Sequence, residues 1–259
     1  TWGCCPPAGE MLRILKKNII MKKIILFLSI CAALTSSAQN GFTSYGSPSG
    51  YSTVQLRDKN ALVIDSNNNK WIAYQKIGLG KFDGSNWTMF NTTNSSLPSD
   101  TVKALAVDVS NNIWIGTFNG LARFDGTNWI IFNTSNSSIP DNNIISVAVN
   151  GNNIWIGTNL GAAKYNGSIW ANFNTSNSGI ANDTVQCFSF DPSGNVFIGT
   201  KNGLSKLNGS SWMTFNAGNS GLLSSNISSL FFYQGNLWIG TIGGGLHKFY
   251  ANVIDNVQS

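Results

Sequence analysis

From residue 61 onward the chain alternates short apolar runs with clusters of Asn, Ser, Asp and Gly. In the stretch that starts at Lys103, Ala104–Val107 is apolar and ends at Asp108 and the turn residues Ser110-Asn111-Asn112. Ile113–Thr117 is β-branched and aromatic, and Asn119-Gly120 then marks a turn. Leu121–Phe124 leads into Asp125-Gly126, a strong hairpin signal, because a type I′ turn needs positive φ at both central residues. Trp129–Asn133 closes the unit, and Thr134–Asn142 forms a longer polar loop into the next one. Beyond residue 38 no stretch keeps a 3.6-residue period, so the pattern predicts an all-β chain with four short strands per unit.

The unit repeats. Trp71, Trp114, Trp155, Phe197 and Trp238 recur every 41–43 residues, and Trp87, Trp129, Trp170 and Trp212 form a second series. Phe90, Phe132, Phe173 and Phe215 follow the second series in step. Four-stranded units of this length with one aromatic pattern predict a β-propeller of about five four-stranded blades. A small sheet cannot bury both faces alone, and stacking blades does so; first strands such as 61–64 and 230–233 are accordingly expected to be covered on both sides. The fifth unit, from Ser228, lacks a Trp-containing fourth strand, and Gly41-Phe42-Thr43-Ser44-Tyr45 has the aromatic spacing of one. Two readings stay open: the N- and C-terminal strands share one blade and close the ring, or the chain is a fragment of a larger propeller.

At the motifs N-x-(I/L/V)-W-I-G-T, G-L-x-(K/R)-(F/Y)-(D/N)-G and W-x-x-F-N-T-x-N-S, the sequence resembles the two-component regulator propeller repeat over residues 61–250. The resemblance implies a β-propeller in an extracytoplasmic location, which in many relatives is the sensor half of a hybrid histidine kinase. No membrane helix, kinase or DNA-binding segment follows the repeats in this sequence, which puts a signalling role in doubt. A more distant likeness, through the N-x-W-I-G-T strand, is to the streptogramin lyase propellers, without a recognisable catalytic set.

Charge changes the picture only at the N-terminus. The formal net charge is +5 with 10% charged residues, where soluble domains carry about 25%. Arg13, Lys16, Lys17, Lys22 and Lys23 precede the apolar run Ile24–Leu34 and the small-residue segment 35–38. That order predicts a signal peptide at 21–38 starting from Met21, after an upstream-translated segment at 1–20, and the run is too short to span a bilayer. A lipoprotein form with Cys31 lipidated fits less well, because Ile30 stands where a small residue is expected. The domain from 39 to 259 then keeps eleven Lys/Arg against ten Asp, one cysteine (Cys187) and no glutamate. Such a near-neutral surface argues against nucleic acid as a partner, since phosphate binding needs a concentrated cationic excess.

Candidate chemistry is sparse. His247 is the sole histidine, at a third-strand position where the other blades have Gly80, Ala122, Ala163 and Ser205. Cys187 lies in an apolar first strand and reads as a small buried hydrophobe. One His and one Cys cannot build a structural zinc site, and loops such as Asp65-Ser66-Asn67-Asn68-Asn69 lack dedicated calcium-loop spacing. No catalytic set, metal or cofactor is therefore expected. Lys81, Arg123, Lys164, Lys206 and Lys248 give every blade one third-strand cation. These read either as a basic ring for an anion or, more simply, as side chains lying over aromatic neighbours. The sequence thus predicts a secreted or periplasmic, non-enzymatic binding module for a carbohydrate or protein, with loops such as 74–76 and Lys201 as candidate contacts. The alternatives are the sensor portion of a truncated hybrid regulator, or a lyase-like enzyme using His247.

Overall fold

The structure is a computed structural model that describes residues 62–250, and these contain strands and turns but no helix. The first sheet is β1 (Leu62–Ile64), β2 (Lys70–Tyr74), β3 (Gly78–Phe82) and β4 (Trp87–Phe90). The second is β5 (Val102–Val107), β6 (Ile113–Thr117), β7 (Gly120–Phe124) and β8 (Trp129–Phe132). The third is β9 (Ser146–Asn150), β10 (Asn153–Gly157), β11 (Ala162–Tyr165) and β12 (Trp170–Phe173). The fourth is β13 (Val185–Phe190), β14 (Val196–Thr200), β15 (Gly203–Asn208) and β16 (Ser211–Phe215). The fifth has β17 (Ile227–Tyr233), β18 (Asn236–Thr241) and β19 (Gly245–Tyr250). Every sheet is an antiparallel meander in chain order, the blade of a β-propeller.

Each blade is held to the next by the same device. The second-strand ring of one blade buries itself against the first and second strands of its successor. Trp71, Trp114, Trp155 and Phe197 are each at most 3% exposed and sit in four separate apolar clusters, one per junction. The second Trp series is half-buried, stacking on its own blade's third strand, as Trp129 does on Phe124 at 4.4 Å. The glycine of the I-G-T motif permits the junction: a Cβ on Gly116 would stand 2.7 Å from the Ile144 side chain, and one on Gly199 would stand 2.7 Å from that of Ile227.

Three expectations need correction. Covering on both sides holds for β5 but not for the end sheets: Leu62 and Ile64 of β1 and Phe231 and Tyr233 of β17 are more than half exposed, because among the described residues no sheet stacks there. The Asp125-Gly126 connection is not a two-residue type I′ turn. It is a four-residue loop in which only Gly126 has positive φ, while the Asp125 carboxylate accepts from the N–H groups of Thr127 and Asn128. Cys187 is half-buried rather than buried. The leader segments and the strand at 41–45 lie outside the described residues. Among the described residues no helix is long and apolar enough to cross a membrane.

The first-turn aspartates do more than shape turns. Asp65 Oδ1 accepts from the backbone N–H groups of Asn67 and Asn69, and Oδ2 accepts from Asn69 Nδ2 and from Trp71 Nε1 at 2.8 Å. Asp108 holds Trp114 in the same way, also at 2.8 Å. Burial alone would push the Asp65 carboxyl up, but the hydrogen bonds from Trp71, Asn69 and Asn67 together hold it below the usual carboxylate value. A lowered folded-state pKa means stability that is present above the unfolded value and lost as pH falls through the folded one. Trp71→Phe should therefore raise the Asp65 pKa and flatten the fall in urea midpoint below about pH 4. An NMR titration of Asp65 reads the first effect, and an unchanged pKa would refute it.

Candidate functional site

Antiparallel meanders put the β1–β2 and β3–β4 type turns at one end of the blades. The β2–β3 turns and the long blade-to-blade loops come together at the other. At this second end the Asn/Ser loops are self-contained. Asn91 Oδ1 accepts from the N–H groups of Thr93 and Asn94, Asn94 Oδ1 accepts from Asn91 N–H, and Asn94 Nδ2 donates to the Met89 carbonyl. The same pattern recurs at Asn133/Asn136, Asn174/Asn177 and Asn216/Asn219. The polar groups of these loops satisfy each other, which also explains a polar surface with so few charges.

Above these regular loops, the β2–β3 turns differ from blade to blade. Phe118 (59% exposed), Leu160 (58%) and Ile242 (56%) project to solvent, as do Lys76 and Lys201. Lys103, from β5, donates to Asn143 Oδ1 at 2.7 Å and lies 5.3 Å from the Phe118 ring centre. Gln186 Nε2, at the equivalent position of β13 two blades on, donates to Asn226 Oδ1 at 2.6 Å. Polar bridges thus line the inner rim and apolar tips surround it. Deeper between the first strands lies a cavity of about 110 Å³ walled by Ala104, Ser146, Cys187 and Ser229, where the Ser146 hydroxyl is buried without a partner. Of the expected contact loop 74–76, Gln75 and Lys76 are exposed, but Tyr74 ends β2 at 4% exposure, and burial pushes its hydroxyl pKa up. Lys201 is exposed as expected.

The third-strand lysines take the structural role. Lys81 lies 5.4 Å from the Trp71 ring centre, Lys164 5.8 Å from Trp155, Lys206 5.7 Å from Phe197 and Lys248 5.5 Å from Trp238. Arg123 makes no such ring contact among the described residues. No cluster of three or more His, Cys, Asp or Glu side chains forms there, and both Asp65 oxygens are spent on N–H donors.

His247 has a local task. Its Nε2 accepts from Leu223 N–H at 3.0 Å, and Ser205 Oγ accepts from Ala181 N–H at 2.8 Å at the equivalent place one blade earlier. In the two preceding junctions the loop residue is Pro98 or Pro140, which has no N–H, and the third-strand residue is Ala122 or Ala163, which has no acceptor. The pairs Pro/Ala, Pro/Ala, Ala/Ser and Leu/His are chemically matched across the junctions. This complementarity was invisible until loop and strand were seen in contact. Ser205→Ala should cost about 1–3 kcal/mol by stranding the Ala181 N–H. Adding Ala181→Pro recreates the Pro/Ala pair and should recover most of that loss. Equal urea midpoints for the single and double variants would refute the match.

The sequence matches the two component regulator propeller family at residues 96–119 and 221–243. Among solved structures it is similar to the extracellular domain of BT3049 from B. thetaiotaomicron, described as a hybrid two component system. The two share 22% identity over 78% of this chain and 29% of that one, with a TM-score of 0.67. PorZ of Porphyromonas gingivalis, a surface component of the type-IX secretion system, is similar at 21% identity over 81% of this chain and 34% of that one, TM-score 0.61. The virginiamycin B lyase of Staphylococcus aureus is similar at 10% identity over 75% and 70%, TM-score 0.56. The chain thus spans about a third or less of the length of the first two structures. No curated protein matches the sequence.

Proposed function

From the two component regulator propeller repeats that this chain carries, we propose that it is a non-enzymatic, extracytoplasmic binding module. Its ligand contacts are the β2–β3 turns around the inner rim. The observation that supports this most is the contrast within one end of the fold. Loops whose side chains satisfy each other are nearly identical between blades, and the tips above them differ and expose Phe118, Leu160 and Ile242. Exposed apolar tips that vary above a uniform scaffold are how binding surfaces are built on repeat proteins. The similar B. thetaiotaomicron structures are extracellular domains, which supports the location, as does the expected signal peptide.

A sensor role within a longer hybrid regulator is the second reading, favoured by those same neighbours. A lyase-like role has less support, because the His247 Nε2 lone pair is engaged by Leu223 N–H. The test is a binding screen of the purified chain against glycan and peptide arrays and an isolated cell-envelope fraction. Saturable binding abolished by Phe118→Ser together with Lys201→Glu supports the rim. Absence of binding to all three overturns the reading.

A further inference from the structure

At the opposite end of the blades, a polar groove of about 410 Å³ opens between the second and third sheets, within the size range of small-molecule sites. We propose that this groove binds a carboxylate, with Arg123 as its anchor. The groove departs from its repeat equivalents in three ways. The cation on β7 is arginine where the other blades have lysine. Tyr165 replaces the phenylalanine or leucine found at positions 82, 124 and 207. The β9–β10 turn is one residue shorter than the β5–β6 turn, counted between Val149 and Ile154 against Val107 and Ile113. At the preceding junction Ser66 N–H donates to Asn111 Oδ1 at 2.7 Å and ties the two turns together. No hydrogen bond between the described residues ties Val109 or Ser110 to Asn152, and the groove stays open.

The balance of donors and acceptors identifies the ligand. Asp108 is the groove's only carboxylate, and both its oxygens are occupied: Oδ1 by the N–H groups of Ser110 and Asn112, Oδ2 by Asn112 Nδ2 and Trp114 Nε1. Tyr165 spends its hydroxyl proton on the Gly167 carbonyl, and Asn166 Oδ1 accepts from Ser168 and Ile169 N–H. Spare donors remain: Arg123, whose Nε is buried without a partner, and the amides of Asn152 and Asn166. The groove's one carboxylate is fully engaged while its guanidinium keeps an unpartnered Nε, so among its charged groups a cationic donor is left over and the complementary ligand brings an anionic acceptor. A planar guanidinium matches a carboxylate through two parallel N–H···O bonds, which a lysine cannot do. The groove between the third and fourth sheets, about 500 Å³, is the contrasting case: its cation Lys164 rests over Trp155 and no carboxylate or amide side chain lines it.

The carboxylate can belong to a small acid or to an acidic polypeptide, and the test separates these. The ¹⁵N-labelled chain is titrated with glutarate, its uncharged counterpart glutaramide, and an aspartate-rich peptide, with sodium chloride matching the ionic strength. Saturable shifts of the Arg123 Nε–H and Trp114 Nε1–H resonances are expected with the carboxylates and not with glutaramide. Arg123→Lys, which installs the residue of the other four blades and so keeps the fold, should weaken binding by about tenfold or more. Tighter binding of the peptide than of glutarate assigns a polypeptide source, and the reverse assigns a small acid. Absence of a saturable shift with either carboxylate, equal shifts with chloride, or unchanged affinity in Arg123→Lys would overturn the proposal.

Discussion

Trp155→Ala is expected to destabilise the chain by about 3–5 kcal/mol, the range for emptying a large aromatic from a core. Trp155 is 2% exposed and stacks on Phe173 at 5.5 Å with an interplanar angle of 21°. It also lies 5.9 Å from the Phe188 ring of the next sheet, within a cluster that includes Ile180, Val185 and Ile198. Removing it opens a void across the junction of two sheets, where strands of both blades would have to move together to close it. The informative comparison is Trp238→Ala, the same motif position in the fifth sheet. Trp238 is only partly buried, so its loss should cost less, roughly two thirds as much in proportion to the apolar area concerned. Urea unfolding of both variants decides it. Equal losses would show that Trp238 is covered in the whole chain.

Gly157→Ala is expected to cost about 1–3 kcal/mol although it adds a single methyl group and Gly157 has an ordinary φ. Its Cβ would lie 2.7 Å from Val185 Cγ1 and 2.8 Å from the Val185 carbonyl oxygen, and it would collide with Ser146 Oγ. Val185 is fully buried, and its N–H donates to the Thr158 carbonyl at 2.9 Å, so its backbone cannot retreat without breaking the junction. Gly221→Ala is the control, since nothing stands within 4 Å of its Cβ position and its φ is also ordinary. That variant should stay within about 0.5 kcal/mol of the parent. If the two variants unfold at the same urea concentration, the I-G-T glycine is not required by close sheet approach.

The two experiments bear on why this fold reads so well from sequence. A blade is a local meander, so strand order and antiparallel pairing follow from neighbours along the chain. Trp114 and Arg123 face each other across β6 and β7 because only a short turn separates those strands. The lysine-over-ring arrangement could be anticipated for the same reason. The Pro/Ala, Ala/Ser and Leu/His matches could not, because they join a loop of one blade to the third strand of the next. The sequence signal for them existed, as covariation between repeats, but its meaning depended on contact across a junction.

The candidate sites divide along the same line. Exposed Lys201 and the variable β2–β3 turns were recoverable from the repeat alignment, since positions that vary among otherwise uniform blades stand out. Tyr74 was misplaced because a strand end and a turn look alike in sequence, and burial alone separated them. Arg123 was grouped with four lysines by charge. The shortened β9–β10 turn and Tyr165 give it a different surrounding.

What the sequence determined by itself was the period, the strand content and the choice of residue at each turn, because these depend on interactions within about ten residues of chain. Tertiary structure decided which rings are buried, why a methyl group on the motif glycine would meet its neighbours at close range, and which donors are left without acceptors. Those are properties of two sheets pressed together, and no single repeat contains both surfaces.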